Sequence, residues 1–151
     1  MALFSSTYVN KVDRKGRVSV PANFRNILID QNFPGIVTFR SFKYQALDAG
    51  GYDRLEELTK SLDALAEFSD EREALESLVA ESQQLPFDSE GRIVLPQALA
   101  EYAGITDLAA FVGVGRSFQI WEPERHRLHH EEMRERVRQR GFTLPPRGGT
   151  P

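Results

Sequence analysis

The side chains best suited to binding chemistry are four cations within seven consecutive positions. They are Lys11, Arg14, Lys15 and Arg17. Clustered Lys and Arg side chains bind nucleic-acid phosphates, and an arginine can also bridge two acceptors of guanine in the major groove. The alternative is that Arg17 pairs with Asp13 to brace a turn while the other cations are only solvated. Bracing does not need three cations at one tip, which favours DNA contact for Arg14 and Lys15 and both roles for Arg17.

A tight turn is predicted to present these cations. Asp13 suits its first position because the carboxylate can accept backbone N–H bonds, and Gly16 suits the residue with positive φ that rejoins the strand. Alternating segments from Tyr8 to Val12 and from Arg17 to Val20 flank the turn. The pattern therefore predicts a β-hairpin with a cationic tip.

The same turn occurs a second time, 75 positions later, as the segment from Asp88 to Pro96. Asp88, Gly91 and Arg92 are predicted to structure this second turn. Its tip carries Ser89 and Glu90 in place of two cations. Glu90 would repel a phosphate, so Arg92 is more simply interpreted as a bracing residue and only secondarily as a DNA contact.

A second echo relates Arg40-Ser41-Phe42 to Arg116-Ser117-Phe118, at an offset of 76. The two offsets predict that the copies differ by about one residue in an intervening loop. A role in a connecting turn is favoured over ligand binding for Arg40 and Arg116.

Each copy is predicted to follow the order ββαββ. A proline precedes a short helical run in both copies, Ala22 to Ile29 and Gln97 to Ala103. Strand pairs follow at 36–40 with 44–47, and at 110–114 with 118–121. A unit of about 45 residues buries too little apolar surface to be stable alone, whereas two units that interleave their strands could close one small barrel.

Longer helical patterns follow each copy and predict packing helices. Their apolar positions are Tyr52, Leu55, Leu58, Leu62 and Leu65, then Leu75, Leu78 and Val79, and finally Leu128, Met133 and Val137. The last of these helices also carries Arg134, Arg136, Arg138 and Arg140 among glutamates, a pattern more typical of a solvated face with i,i+4 pairs than of a second DNA contact. The Gly- and Pro-rich segment from Gly141 to Pro151 is predicted to be disordered.

The distribution of charge is more informative than the net value of −3. Residues 1–48 hold 7 Lys/Arg and 3 Asp/Glu, whereas residues 49–87 hold 3 and 10. A polyanion should therefore meet an end of the chain and not its acidic middle. The absence of cysteine excludes disulfides and thiolate sites, and no apolar run is long enough for a membrane span, so a cytoplasmic protein is expected.

Other chemistries find little support in the sequence. His126, His129, His130 and Glu131 share helical spacing, but the neighbouring arginines would repel a metal ion. Gly113-Val114-Gly115 lacks the third glycine of a dinucleotide loop, and no nucleophile elbow or phosphate-binding lysine loop is present. No enzyme activity, cofactor, metal or small-molecule substrate is predicted.

The repeated Asp-x-x-Gly-Arg-(Val/Ile)-x-(Val/Leu)-Pro element resembles the MraZ family, the tandem-repeat branch of the SpoVT/AbrB superfamily. The resemblance covers about residues 5–140, and the family's Asp-x-x-x-Arg element falls on Asp13/Arg17 and on Asp88/Arg92. It implies an α+β fold of two tandem AbrB-like, swapped-hairpin ββαββ half-barrels that form one pseudo-twofold β-barrel. It also implies assembly into rings and binding to short direct repeats upstream of the family's operon of cell-division and cell-wall genes. The Ser89-Glu90 tip departs from this pattern.

These observations predict a chain organised as repeat 1 at residues 7–54, linking helices at 55–82, repeat 2 at 83–126, and a helix and tail at 127–151. Because one turn makes few phosphate contacts, several copies are needed for useful affinity, so a nucleoid-associated homo-oligomeric regulator, most simply a repressor, is expected. Two alternatives stay open. One is an AbrB-type antitoxin with a toxin partner; the other is a structural ring in which the basic turns bind a neighbour's acidic Glu56-Glu57 or Glu71 to Glu76 surface.

Overall fold

A computed structural model describes residues 3–145, in which each sequence copy folds into two strands, a short helix and two further strands. The first copy supplies β1 (Thr7–Lys11), β2 (Arg17–Ser19), α1 (Ala22–Leu28), β3 (Gly35–Arg40) and β4 (Leu47–Gly50). Two helices follow, α2 (Tyr52–Ala64) and α3 (Asp70–Glu81). The second copy supplies β5 (Gln83–Pro86), β6 (Arg92–Val94), α4 (Gln97–Ala103), β7 (Leu108–Gly113), β8 (Phe118–Trp121) and the final helix α5 (Pro123–Arg140).

The strands form two antiparallel sheets. The larger has six strands in the order β1-β7-β8-β4-β3-β5, and the smaller pairs β2 with β6. With these sheets and the helices around them, the described residues have an α+β fold, so the predicted fold class is confirmed at this level.

Strand pairing crosses between the two copies. β1 pairs with β7, β5 pairs with β3, and β2 pairs with β6, so each of these ladders joins one copy to the other. The predicted hairpin ladder between residues 8–12 and 17–20 is wrong, because the only β-bridge between these segments is the isolated one between Val12 and Val18. After the tight turn the two strands enter different sheets, where partners from the other copy satisfy their backbone groups.

The register is symmetric under exchange of the copies. Val18 pairs with its own repeat equivalent, Ile93, 75 positions later. In the larger sheet β4 pairs with β8, with Asp48 opposite Gln119, 71 positions later. The order and pairing of the strands are therefore unchanged when the two copies are exchanged.

The offset between the copies falls from 75 to 71 because two connections are shorter in the second copy. The link from helix to strand spans residues 29–34 in the first copy and 104–107 in the second; the next turn spans 41–46 and 114–117. The predicted one-residue difference is therefore wrong. The Arg-Ser-Phe echo does not mark equivalent positions, since Phe42 lies exposed in a loop while Phe118 is buried in β8. Because the turn at residues 41–46 is longer than its counterpart at 114–117, β4 begins at Leu47, three positions after the predicted start.

The main core lies between the two sheets and the short helices. Phe4, Phe24 and Phe118 pack together with ring centroids 5.0–5.2 Å apart. A separate cluster forms where α2 and α3 cover β3, with Leu58 and Leu78 packed around Phe39. These two helices therefore pack as predicted.

α5 differs from the other helices in burying none of its residues. The prediction that Leu128, Met133 and Val137 pack this helix is wrong within one chain, because all three remain partly or largely exposed. Instead α5 contacts β7 and places His126 and His129 against Trp121. No helix within residues 3–145 is long and apolar enough to cross a bilayer. Residues 146–151 of the predicted disordered tail lie outside the described part of the chain.

The different positions of Phe42 and Phe118 generate a matched test of the fold. Phe118→Ala removes a fully buried ring, so we predict a loss of about 3–5 kcal/mol in the free energy of unfolding. Phe42→Ala removes a ring that is 67% exposed and should change it by less than about 0.5 kcal/mol. Urea denaturation measures both values. Similar losses for the two variants would contradict the conclusion that Phe42 and Phe118 occupy different positions in the fold.

Candidate nucleic-acid interface

The first turn is built around the carboxylate of Asp13. Its Oδ1 accepts hydrogen bonds from the backbone N–H groups of Lys15 and Arg17 at 3.0 and 2.9 Å, and its Oδ2 accepts one from Nε of Arg17 at 2.6 Å. Gly16 has a φ of +81°, and a Cβ there would press on the carbonyl oxygen of Leu95. Glycine is therefore required both by the backbone conformation and by the close approach of Leu95, the residue that follows β6.

The second turn repeats this geometry. Oδ1 of Asp88 accepts from the N–H groups of Glu90 and Arg92, and its Oδ2 accepts from Nε of Arg92, each at 2.9 Å. Gly91 has a φ of +76°. The repeated Asp, Gly and Arg residues thus form one local structure whose conformation does not depend on which side chains occupy the tip.

Exchange of strands between the copies brings the two turns together. The N–H of Val20 donates to the carbonyl of Gly91, and the N–H of Leu95 donates to that of Gly16. Side chains alternate across the short β2–β6 ladder, so burial of Val18 and Ile93 directs their neighbours outward. The outward face carries Arg17, Ser19, Arg92 and Val94 between the two turns.

The tip of the first turn presents unpartnered positive charge. Lys11, Arg14 and Lys15 are exposed, and their side chains form no hydrogen bond or ion pair with any described residue. Arg17 uses Nε for Asp13, which leaves both terminal guanidinium nitrogens without a partner in the described chain. Arg17 can therefore brace the turn and still bind an anion on the outward face.

The second turn has the opposite electrostatic character. Nη2 of Arg92 lies 3.7 Å from the carboxylate of Glu90 as well as being tied to Asp88 through Nε. The pKa of Arg92 is raised, first by the hydrogen bond to Asp88 and further by the charges of Glu90 and Asp13. The guanidinium is thus surrounded by carboxylates of its own chain, which disfavours its use for a phosphate.

Arg25 is a cation at this surface that sequence reasoning missed. It lies on α1, where Nη1 donates to the carbonyl of Val20 at 3.2 Å, and a Cβ on Gly91 would collide with its guanidinium. The equivalent position beside the first turn is Ala100. No local signal marks Arg25, because it reaches the second turn only through the exchange of strands between copies.

Both turn aspartates are stabilised in the ionised form. Loss of solvent alone would raise the pKa of Asp13, but hydrogen bonds from Arg17 and Lys15 together lower it. The backbone N–H of Arg92 is the main influence that lowers the pKa of Asp88, helped by Glu90 and by the Arg92 guanidinium. Each turn therefore keeps its shape while its carboxylate is charged.

The histidines of α5 contact aromatic rings of the sheet. His129 stacks on Trp121 at a centroid distance of 5.0 Å and lies 4.7 Å from the ring of Tyr44. Burial, followed by the neighbouring histidines His130 and His129, lowers the pKa of His126. Within residues 3–145 no three His, Asp or Glu side chains are grouped so that they could hold a metal ion.

Two further groups of arginines are the pair Arg40 and Arg116 and the arginines in the last two turns of α5. Arg40 binds Glu81 through two hydrogen bonds and lies over the ring of Tyr102, whereas Arg116 is exposed in the turn between β7 and β8. On α5, Arg138 pairs with Glu135. Among the described residues the other three arginines of its last two turns have no carboxylate partner; they are Arg134, Arg136 and Arg140.

The lowered aspartate pKa values predict a pH dependence of stability. A carboxyl group whose pKa is lowered on folding stabilises the folded state at any pH above its ordinary pKa of 3.8. This contribution is lost as the pH falls from 3.8 through the lowered pKa. The urea midpoint should therefore fall between about pH 5 and about pH 2 more steeply in wild type than in Asp13→Asn/Asp88→Asn. Asp63→Asn, on the exposed face of α2, should keep the wild-type slope. Equal slopes in all three proteins would show that the turns do not depend on charge.

Comparison with known proteins confirms the family resemblance. Residues 78–141 match the family model described as "MraZ protein, putative antitoxin-like". A Methylocella silvestris protein named transcriptional regulator MraZ is 45% identical over 98% of this chain and 91% of its own length. Proteins of the same name from Rickettsia akari and Pelagibacter ubique are 40% and 47% identical over 95% and 80% of this chain, and over 97% and 79% of their own lengths. The chain belongs to the MraZ family.

Proposed function

We propose that the protein is a transcriptional regulator that binds double-stranded DNA through the first turn. The observation that carries this proposal is the unpartnered charge of Arg14 and Lys15, beside the free terminal nitrogens of Arg17, on a turn whose shape is held by Asp13. A rigid turn loses little conformational freedom on binding, and exposed cations release counterions from DNA when they meet phosphates. The names of its relatives, transcriptional regulators, agree with this role.

Affinity and site selection are proposed to come from assembly. One turn offers only a few phosphate contacts, so a monomer should bind weakly at physiological salt. A ring of identical copies would present the turn at regular intervals and match short direct repeats better than a palindrome. The proposed target is the promoter of its own operon of cell-division and cell-wall genes, where occupancy would most simply repress transcription, in the cytoplasm at the nucleoid.

The architecture proposed for this role is a closed pseudo-twofold barrel of two swapped-hairpin halves. Support comes from the ladders that join the copies and from the symmetric pairing of Val18 with Ile93. The two turns have the same backbone geometry but opposite charge at the tip, so we expect them to differ in DNA binding. We infer that Lys11, Arg14, Lys15 and Arg17 contact DNA, and that Asp88, Gly91 and Arg92 chiefly maintain the second turn.

An antitoxin role is the second candidate, and the wording of the matching family model favours it. Such a protein would use its turns for DNA and another segment for a toxin. AbrB-type antitoxins usually carry one repeat and complete their fold by dimerising, whereas both repeats lie in this chain. Recovery of a small toxin in a pull-down with the full chain would support the antitoxin role, and its absence would favour the regulator alone.

Removal of the tip cations tests the proposed contact. We predict that Arg14→Ala/Lys15→Ala abolishes the mobility shift of DNA from upstream of its own gene at physiological salt, because two exposed cations are lost. The slope of log K against log salt should fall by about 1 for each phosphate contact removed per turn. Lys43→Ala/Lys60→Ala, which removes two exposed cations elsewhere, should bind like wild type. Wild-type binding by the tip variant would exclude this turn as the interface.

A gain of charge on the second turn gives the complementary test. Its geometry matches that of the first turn, so only the tip side chains should prevent it from binding phosphate. Ser89→Arg/Glu90→Lys is therefore expected to strengthen DNA binding and to steepen the salt dependence. Binding equal to or weaker than that of wild type would mean that the second turn faces away from DNA in the complex.

A further inference from the structure

α5 lacks the cover that its repeat equivalent has. Both α2 and α5 begin two residues after equivalent strands, at Tyr52 and at Pro123, with the same 71-residue offset that relates β4 to β8. α2 is covered by α3, whose Leu75, Leu78 and Val79 pack on it and on β3. No helix follows α5 within residues 3–145, so the corresponding face of α5 is left without a packing partner.

The uncovered face of α5 runs from the residues that contact the sheet toward the C-terminal end of the helix. The positions of α5 equivalent to Leu55, Leu58 and Leu62 of α2 are His126, His129 and Met133. The two histidines contact Trp121, and beyond them Met133 and Val137 are 36% and 43% exposed. A groove along this part of the helix is lined by His130, Met133, Arg134, Val137 and Arg138.

Positive charge borders this apolar face. The segment from Met133 to Arg140 holds four arginines and one glutamate, and of these arginines only Arg138 has a carboxylate partner among the described residues. Unpaired arginines around an exposed apolar stripe favour a partner that is itself apolar at its centre and acidic at its rim.

The helical hairpin of α2 and α3 has this character. Its exposed acidic residues without an ion pair to any described residue are Asp53, Glu56, Asp63, Glu67, Asp70, Glu71 and Glu73. The face of α3 turned away from α2 also carries the small residues Ala74, Ser77 and Ala80, which permit close approach of another helix. Between the two helices Phe68 is 95% exposed, with a φ of +69° that L residues rarely adopt.

The two complementary surfaces lie on opposite halves of the large sheet. α5 contacts β7, whereas α2 and α3 contact β3, and β8 and β4 separate these strands. Each helix is already fixed to its own half, so the surfaces do not meet within one chain. Two different surfaces of the same chain that fit each other generate a head-to-tail contact between copies.

We propose that α5 of one copy packs against α3 and Phe68 of a second copy. Met133 and Val137 contact Phe68 and the small residues of α3. Arg134 and Arg138 meet Asp70 and Glu73, which are three positions apart and share one face of α3. The neighbour's α3 then provides the cover that pseudo-symmetry leaves missing on α5. This inference rests on the proposed assembly into a multimer and specifies the surfaces that build it.

Charge reversal of each surface tests the contact, with assembly followed by sedimentation of the full chain without DNA. Arg134→Glu/Arg138→Glu and Asp70→Lys/Glu73→Lys should each sediment as monomers at concentrations where wild type is assembled. Mixed in equal amounts they should assemble again, because each supplies the charge that the other's surface now requires. Lys43→Glu/Arg116→Glu, a charge reversal of the same size on exposed loop residues, should assemble like wild type.

Failure of the mixture to assemble, or wild-type assembly by either reversed variant, would overturn the proposed contact. Wild type that is itself monomeric would overturn both this contact and the multivalent part of the proposed function. A DNA mobility shift at low salt separates failure of the contact between copies from failure of the proposed DNA binding. A monomeric α5 variant keeps the first turn and should still bind DNA weakly. Loss of binding in Arg14→Ala/Lys15→Ala alone would leave the contact between copies untouched.

Phe68→Gly provides a test that does not alter charge. The ring contacts little in the monomer and glycine accepts positive φ, so folding stability should stay the same or rise slightly. The concentration at which half of the chains are assembled should nevertheless rise by about 10-fold or more. Unchanged assembly would exclude Phe68 from the contact.

Discussion

Antiparallel pairing between the two sequence copies is the constraint on which the rest of the structure depends. β1 and β5 form the outer edges of the six-stranded sheet, and each is held there by a strand of the other copy. The β2–β6 ladder has only three residue pairs, and it is what places the two turns beside each other. If the copies paired internally, each turn would lie on its own hairpin and no shared outward face would exist.

Symmetry of backbone and asymmetry of side chains together define the proposed interface. The same Asp–Gly–Arg arrangement shapes both turns, but its tip is Arg14-Lys15 in one and Ser89-Glu90 in the other. A symmetric pair of cationic turns would suit a palindromic site, whereas one cationic turn per chain gives each copy a direction along the DNA. This polarity agrees with a head-to-tail arrangement of copies.

Local patterns in the sequence predicted the elements well and their partners poorly. Asp13, Gly16 and Pro21 define the turn and the helix start through backbone preferences that act within a few residues, so both turns and both short helices could be located. The partner of β1 is set by burial and backbone satisfaction over 100 residues of chain, which no local pattern encodes. Arg25 carries no local signal for that reason. Phe42 and Phe118 share a residue type and similar neighbours but not a position in the strand register, so their likeness is misleading.

Exchange of strands also affects how the chain can fold during translation. β1 is made first, but its partner β7 begins about 100 positions later, and β2 must wait for β6, so both stay unpaired while most of the chain leaves the ribosome. Local hydrogen bonds of Asp13 shape the turn, but the turn is anchored to a sheet only after the second repeat has been synthesised. Nascent or truncated chains would carry the same charges on a turn without that anchor, which links the proposed DNA contact to completion of both repeats.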